Sequence, residues 1–386
     1  MKATRRDILK TAFAGCCAAA SPIVTPVTFA ATPGENRLVV IILRGGMDGL
    51  GVFAPYGDRA FADLRPSLGG KPEKGLLDLD GRFGMDKRLE QLHPLWDRGE
   101  LAVAHAVSTP YRDKRSHFDG QDILEAGTMG IADVRDGWIN RALGHLTGAS
   151  ADTAYSVGRE NMLITSGPNR ARSWAPGERL PLENDERALL SLIYANDPLF
   201  ANAAEDAMEL TRTTGDRKAE GARAVEVLAD YAAGRLNEDA RIAAFSIGGW
   251  DSHVNQRVTL RGPLAGLETA IVRLKKGLGR NWRNTMVIAM TEFGRTAREN
   301  GGRGTDHGTG GAALLAGGAL KGGRVYGDWP GVGEGALYQD RDLTPTRDVR
   351  HYPAYALINL FGMDRAAVTR DVFPGLDLGA DDGFIA

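Results

Sequence analysis

Five short apolar runs, Leu38–Leu43, Leu101–Val107, Arg241–Ile247, Met286–Met290 and Ala312–Leu315, are bounded by glycine or polar residues and do not alternate in polarity. Strands covered on both faces have this pattern, so the runs predict buried parallel strands. Helical spacing occupies the intervals, over Asp86–Arg98, Asp119–Glu125, Trp138–Leu146, Asp185–Ala195, Asp206–Ala233 and Gln256–Leu278. Strands alternating with helices predict crossover units, and hence an α/β fold with a central, mostly parallel sheet between helices. The stretch 165–235 is rich in Ala, Glu and Arg and poor in strand signal. It predicts a helical insertion or flank on a single domain spanning 36–386. No repeat of 20–50 residues interrupts this pattern.

The first thirty residues break from it. Lys2, Arg5 and Arg6 open the chain, and a weakly apolar run from Ala12 to Ala30 follows, interrupted by Pro22 and Pro26. Thr4-Arg5-Arg6-Asp7-Ile8-Leu9-Lys10 resembles the twin-arginine export motif. Cleavage after Ala30 or Ala31 suits the small-residue rule. Phe13-Ala14-Gly15-Cys16 approximates a lipobox, so lipoprotein anchoring at Cys16 is the less favoured rival. A periplasmic or secreted protein carried by the twin-arginine translocase is expected. No later run reaches the ~20 apolar residues of a transmembrane helix.

Composition sharpens that view. The chain has 386 residues, a formal net charge of -2, 50 glycines and 2 cysteines. Removing residues 1–30 takes away a net charge of +3 and both cysteines, leaving about -5 and no disulfide. A near-neutral chain without a basic stripe argues against a nucleic-acid partner. The glycine excess has no collagen-like period, so it belongs in turns and loops.

Those loops follow the strands, where open α/β sheets bind their ligands. Arg44-Gly45-Gly46-Met47-Asp48-Gly49, Arg115-Ser116-His117-Phe118-Asp119, Gly248-Gly249-Trp250-Asp251-Ser252-His253 and Thr291-Glu292-Phe293-Gly294-Arg295-Thr296 each follow a predicted strand. Gly304-Thr305-Asp306-His307-Gly308 precedes the last one. Carboxylate oxygen with imidazole nitrogen suits a divalent ion. Asp48, Asp251, His253, Glu292 and His307 are the candidate ligands, with His117 and Asp306 as further ligands or their supports. They suffice for one or two ions, Zn, Mn, Mg or Ca, and two ions could clamp a phosphoryl or sulfuryl transfer. Ser116 is a candidate nucleophile at a helix start, and Arg44, Arg115 and Arg295 are candidate anion clamps. Structural roles compete: Asp48 and Ser116 also read as caps, and Glu292 as an ion-pair partner of Arg295. His105, inside a strand run, reads as a satisfied core histidine. No G-x-G-x-x-G follows the first strand, which disfavours a dinucleotide enzyme.

Together with Asp136-Gly137-Trp138, Gly322-Gly323-Arg324-Val325-Tyr326-Gly327-Asp328-Trp329-Pro330 and Val372-Phe373-Pro374-Gly375, these segments resemble, in order, the domain-of-unknown-function 1501 family. Such bacterial families are similar to the alkaline phosphatase–sulfatase superfamily. The resemblance implies a three-layer, alkaline-phosphatase-like sandwich with metal at the strand ends. It would place Asp48 at the first-strand metal aspartate, Ser116 at the nucleophile, Asp251 and His253 at the ligands of one ion, and His307 at the final histidine ligand. Glu292 stands where an Asp-His pair is usual. Three departures follow: Asp251-x-His253 is shorter than the usual spacing, Phe293 replaces a histidine, and the sulfatase Cys/Ser-x-Pro-x-Arg signature is absent. One fewer imidazole favours a single ion, or a harder one such as Mn²⁺ or Ca²⁺.

Two functions are therefore expected in turn. The first is an exported metal-dependent hydrolase or transferase acting on a phosphate or sulfate ester, small or polymeric. The second is a non-catalytic periplasmic binding or partner protein that keeps the fold and a structural ion.

Overall fold

The computed structural model describes residues 34–112, 114–159, 162–176 and 221–386. The expected leader with Cys16, the expected helix Asp185–Ala195 and most of Asp206–Ala233 lie outside the described residues.

All five apolar runs form strands of one sheet: β1 (Arg37–Leu43), β5 (Leu101–Ser108), β8 (Ile242–Ile247), β9 (Thr285–Met290) and β10 (Gly311–Ala316). A side sheet of β2 (Phe53–Ala54), β3 (Leu76–Asp78) and β4 (Gly84–Asp86) comes between the first two. Four strands of the main sheet escape the sequence pattern: β6 (Ala154–Val157), β7 (Arg172–Trp174), β11 (Arg324–Tyr326) and β12 (Arg347–Asp348). They have two to four residues each, too short for a periodic signal, and β7 falls inside the stretch expected to be helical. The strand order is β11-β5-β10-β9-β1-β8-β6-β7, with β12 also pairing β5.

Every pairing is parallel except those of β10, which runs antiparallel to both β5 and β9. This corrects the expectation of a parallel strand at Ala312–Leu315. Polarity is invisible in a run buried on both faces, because both directions need the same side chains.

The sheet is buried on both sides. In β1, Leu38, Val40 and Ile42 join one core, while Val39, Ile41 and Leu43 join the other. The first core is closed by α2 (Trp138–Leu143) and α5 (His351–Phe361), through Trp138, Tyr352 and Leu357. The second is closed by α3 (Ala222–Leu236) and α4 (Arg261–Leu278), through Leu228, Leu264 and Leu274. The architecture is thus the expected three-layer α/β sandwich. A further helix, α1 (His117–Ala126), stands between β5 and α2 in the chain and starts beside the strand ends. Among the described residues, no helix is long and apolar enough to cross a membrane.

Candidate metal centre

Because β10 is reversed, its amino end lies beside the carboxyl ends of β1, β5, β8 and β9. The loop that precedes β10 therefore meets the loops that follow the other four. Backbone bonds stitch them together: Trp250 N donates to Arg44 O (3.2 Å), Thr296 N to Asp306 O (2.9 Å) and Gly308 N to Gly294 O (2.8 Å). The close packing requires glycine. At Gly45, φ is +118°, and a Cβ would stand 2.5 Å from Asp251 N. At Gly294 a Cβ would stand 1.8 Å from Gly310 O.

Four side chains converge there. His253 Nε2 lies 3.0 Å from His307 Nε2 and 3.0 Å from Asp251 Oδ1. His307 Nε2 is 3.3 Å from Asp251 Oδ1, and His117 Nε2 is 3.5 Å from Asp251 Oδ2. His117, Asp251 and His307 offer ligand atoms all within 4.8 Å of one another. Each imidazole has its other nitrogen against an oxygen. His117 Nδ1 is 2.7 Å from Glu292 Oε1, His253 Nδ1 is 3.2 Å from Asp306 Oδ1, and His307 Nδ1 is 2.9 Å from Arg115 O. These partners accept, so each Nδ1–H donates and each Nε2 lone pair faces the shared point.

The electrostatics agree. Burial opposes ionisation of Asp251, but the hydrogen bond and charge of Arg295 outweigh it and hold the carboxyl below its ordinary value. Burial likewise opposes ionisation of Glu292, and its bonds from His117 and the Gly45 amide reverse that. The two histidines differ: the Glu292 bond raises His117 and favours its protonated form, whereas burial, assisted by Arg295, lowers His307 and favours its neutral imidazole.

The remaining expected site residues take other positions. Asp48 is fully buried, ion-paired at both oxygens with Arg65 (2.6 and 3.0 Å) and bonded by Gln256. Burial pushes its pKa up, and Arg65 more than offsets this. Glu292 uses Oε1 on Gly45, His117 and Gln121 and Oε2 on Thr291, so it backs the cluster. Asp306 backs His253 and also accepts from Asn300. Ser116 caps α1, its Oγ accepting from Asp119 N at 3.4 Å. Arg44 bridges Gln121 and Glu125. Arg295 has a fully buried side chain and donates to Gly45 O, Gly46 O, Thr305 O and Asp251. Arg115 is the loosest of the three arginines, 3.7 Å from Asp342 and one-third exposed.

Arg65, Gln256 and Gln121 support the site without having been singled out in the sequence. Arg65 and Gln256 hold Asp48 from remote segments, and Gln256 also accepts from Ser252 and Thr305. Nothing local to either residue advertises this. Phe293 lies at the back of the cluster, its ring 5.0 Å from those of both His117 and His307.

The donor set fits a metal ion. Ligand atoms ~2.0–2.1 Å from a tetrahedral ion lie ~3.3 Å apart; His253 Nε2, His307 Nε2 and Asp251 Oδ1 stand 3.0–3.3 Å from one another, and His117 Nε2 is 3.5 Å from the other oxygen, Asp251 Oδ2. His117 Nε2 is buried and has no hydrogen-bond partner. His253 Nε2 and His307 Nε2 stand 3.0 Å apart, a contact that either a proton between them or an ion bound by both satisfies. Three imidazoles and one carboxylate suit Zn or a similar borderline ion better than Ca or Mg.

A family model described as "Protein of unknown function (DUF1501)" matches residues 106–359. No curated protein matches the chain. Among solved structures, the chain is similar to the C-terminal periplasmic domain of EptC from Escherichia coli in complex with Zn. That match has 10% identity and a TM-score of 0.41, over 91% of this chain and 89% of that one. It is also similar to a protein in the alkaline phosphatase superfamily from Vibrio parahaemolyticus, at 15% identity and a TM-score of 0.37, over 90% and 72%. A third is a mutant TAB5 alkaline phosphatase with Mg bound, at 10% identity and a TM-score of 0.42, over 86% and 99%.

Proposed function

Because the chain belongs to the DUF1501 family, whose description names no activity, we propose from the site itself that it is a metal-dependent hydrolase or transferase acting on a phosphate or sulfate ester. The observation that carries this reading is the convergence of three imidazole Nε2 atoms on Asp251, each ring anchored through Nδ1. His117, Asp251, His253 and His307 hold one divalent ion. Glu292 and Asp306 orient two of the ligands, a role such partners commonly play. A divalent ion at this point supplies Lewis-acid polarisation of an ester oxygen.

The chain's own groups supply the rest. Ser116 presents a hydroxyl next to His117, at the start of a ten-residue helix whose first amides and dipole favour an anion. It is the nucleophile in this reading. Arg115 contacts the substrate anion, since Arg44 and Arg295 are committed to protein oxygens. Export by the twin-arginine pathway, with cleavage near Ala30, belongs to the same reading and is supported by the sequence of residues 1–31.

A second reading has its own support. The Ser116 hydroxyl already accepts the helix-capping bond, which favours a non-catalytic protein with a structural ion. Metal analysis of the purified protein, together with a panel of phosphate monoesters, diesters and sulfate esters, separates the two. The enzyme reading expects about one ion per chain, and loss of both metal and turnover in His307→Ala and Asp251→Asn. It also expects Ser116→Ala to keep the metal and lose turnover by at least ~100-fold. Bound metal with no turnover on any ester selects the structural reading.

A further inference from the structure

Phe118 follows His117 and is 82% exposed, and Val254 follows His253 and is 58% exposed. Val258, one turn further, is 59% exposed. Single exposed apolar side chains need no explanation. Here, however, three of the five large exposed hydrophobics among the described residues stand on the two segments that carry His117 and His253. The rings of those histidines both contact His307, with centroids 4.3 and 4.7 Å away. The apolar side chains therefore flank the mouth of the candidate centre.

The segment that carries Val254 and Val258 is basic although the chain as a whole carries -2. No acidic residue occurs from Ser252 to Leu267, and Arg257 and Arg261 in that segment are exposed. Lys114 is exposed ahead of Phe118, and Arg303 is exposed where its carbonyl accepts from Gln256 N. Nearby acids are engaged: Glu299 accepts from the amides of Ser67 and Leu68, and Asp306 holds His253 and Asn300. The Phe118 side is mixed in charge, with Asp119 and the exposed Asp122 following Lys114 and Arg115. Exposed apolar side chains set among cations match the chemistry of an anionic lipid–water interface, where apolar groups enter the acyl boundary and cations meet phosphates.

We propose that this face seats the protein on an anionic lipid surface, so that the ester presented to the centre is the headgroup of an amphiphile. The substrate half of the proposal rests on the ester-acting reading above, whereas the docking half does not. The test uses the full protein as purified, with its ion in place, and repeats the measurement after EDTA treatment. The protein is co-sedimented with vesicles of phosphatidylcholine alone and of phosphatidylcholine mixed with phosphatidylglycerol.

Binding should favour the mixed vesicles, weaken with added salt and fall about tenfold in Phe118→Ser and in Val258→Ser. Equal or absent binding to the two vesicle types overturns the proposal, as does binding unchanged in a variant that combines Phe118→Ser with Val258→Ser. Self-association abolished by these substitutions, without vesicle binding, also overturns it and assigns the patch to a second copy of the chain. Turnover of a soluble ester with metal restored reports on the centre alone and should be unchanged in Val258→Ser. Soluble turnover without docking overturns this proposal and leaves the ester reading standing. Docking without turnover on any ester supports the surface and overturns the ester reading.

Discussion

At the residue scale, the second nitrogen of each histidine does as much as the first. His117 can direct its Nε2 lone pair at the shared point because Glu292 accepts the Nδ1–H, and Glu292 is itself fixed by the Gly45 amide. Glu292→Gln keeps the shape but removes the charge that holds this tautomer. It should weaken metal affinity by about 10–100-fold, read by competition with a chromophoric chelator. Asp48 makes the contrasting case. Its carboxylate faces Arg65, which is equally buried and also bonds Thr296 O and Ala297 O. Asp48→Asn leaves that guanidinium without its counter-charge and should destabilise the fold by about 3–5 kcal/mol, measured by urea denaturation. Metal content of the folded fraction should be unchanged, and loss of metal at unchanged stability would return Asp48 to a ligand role.

Between elements, the reversed strand β10 matters most, and the seam it forms with β5 holds a pH-sensitive group. His105 lies where the β10–β5 register shifts and where Ala106 takes a positive φ of 53°. Its Nε2 donates to Phe53 O (2.9 Å), and its Nδ1 accepts from Ala106 N (3.0 Å), which only the neutral ring can do. Burial pushes its pKa down from 6.5 to about 4. The unfolded chain therefore takes up a proton below pH 6.5 that the native chain refuses, so stability falls as pH drops from 6.5 towards 4. The full effect is roughly 3 kcal/mol. Urea titrations across that range should show a shallower decline in His105→Gln than in the wild-type protein, and parallel slopes would count against the assignment.

For the whole molecule, an ion bound as proposed would act as a fastener. The proposed ligands come from three segments separated by up to 190 residues, His117, Asp251 with His253, and His307, and an ion joining them would close these long loops. An ion that binds only the folded chain should add about 2.7 kcal/mol at a free concentration 100-fold above its dissociation constant. Calorimetry with and without EDTA should show a lower melting temperature after chelation, and His307→Ala should melt alike in both conditions.

Much of this was legible from the chain alone. The five long apolar runs declare themselves because a strand buried on both faces needs uninterrupted Val, Ile, Leu, Met and Ala. His253 and His307 were marked by adjacent carboxylates and glycines, as was His117 among its polar neighbours. Local composition thus determined which strands exist and which loops carry ligand-type side chains. It could not determine the direction of β10, the edge strands of two to four residues, or the division of labour among the carboxylates. Asp48, Asp251 and Glu292 look alike in sequence. They differ because Arg65 reaches Asp48 in the interior, the Gly45 amide and His117 enclose Glu292, and Asp251 is left at the mouth facing three imidazoles. Apart from His253, two residues from Asp251, those partners arrive from segments 17 to 247 residues away, so only the tertiary structure could decide which acid faces the cluster.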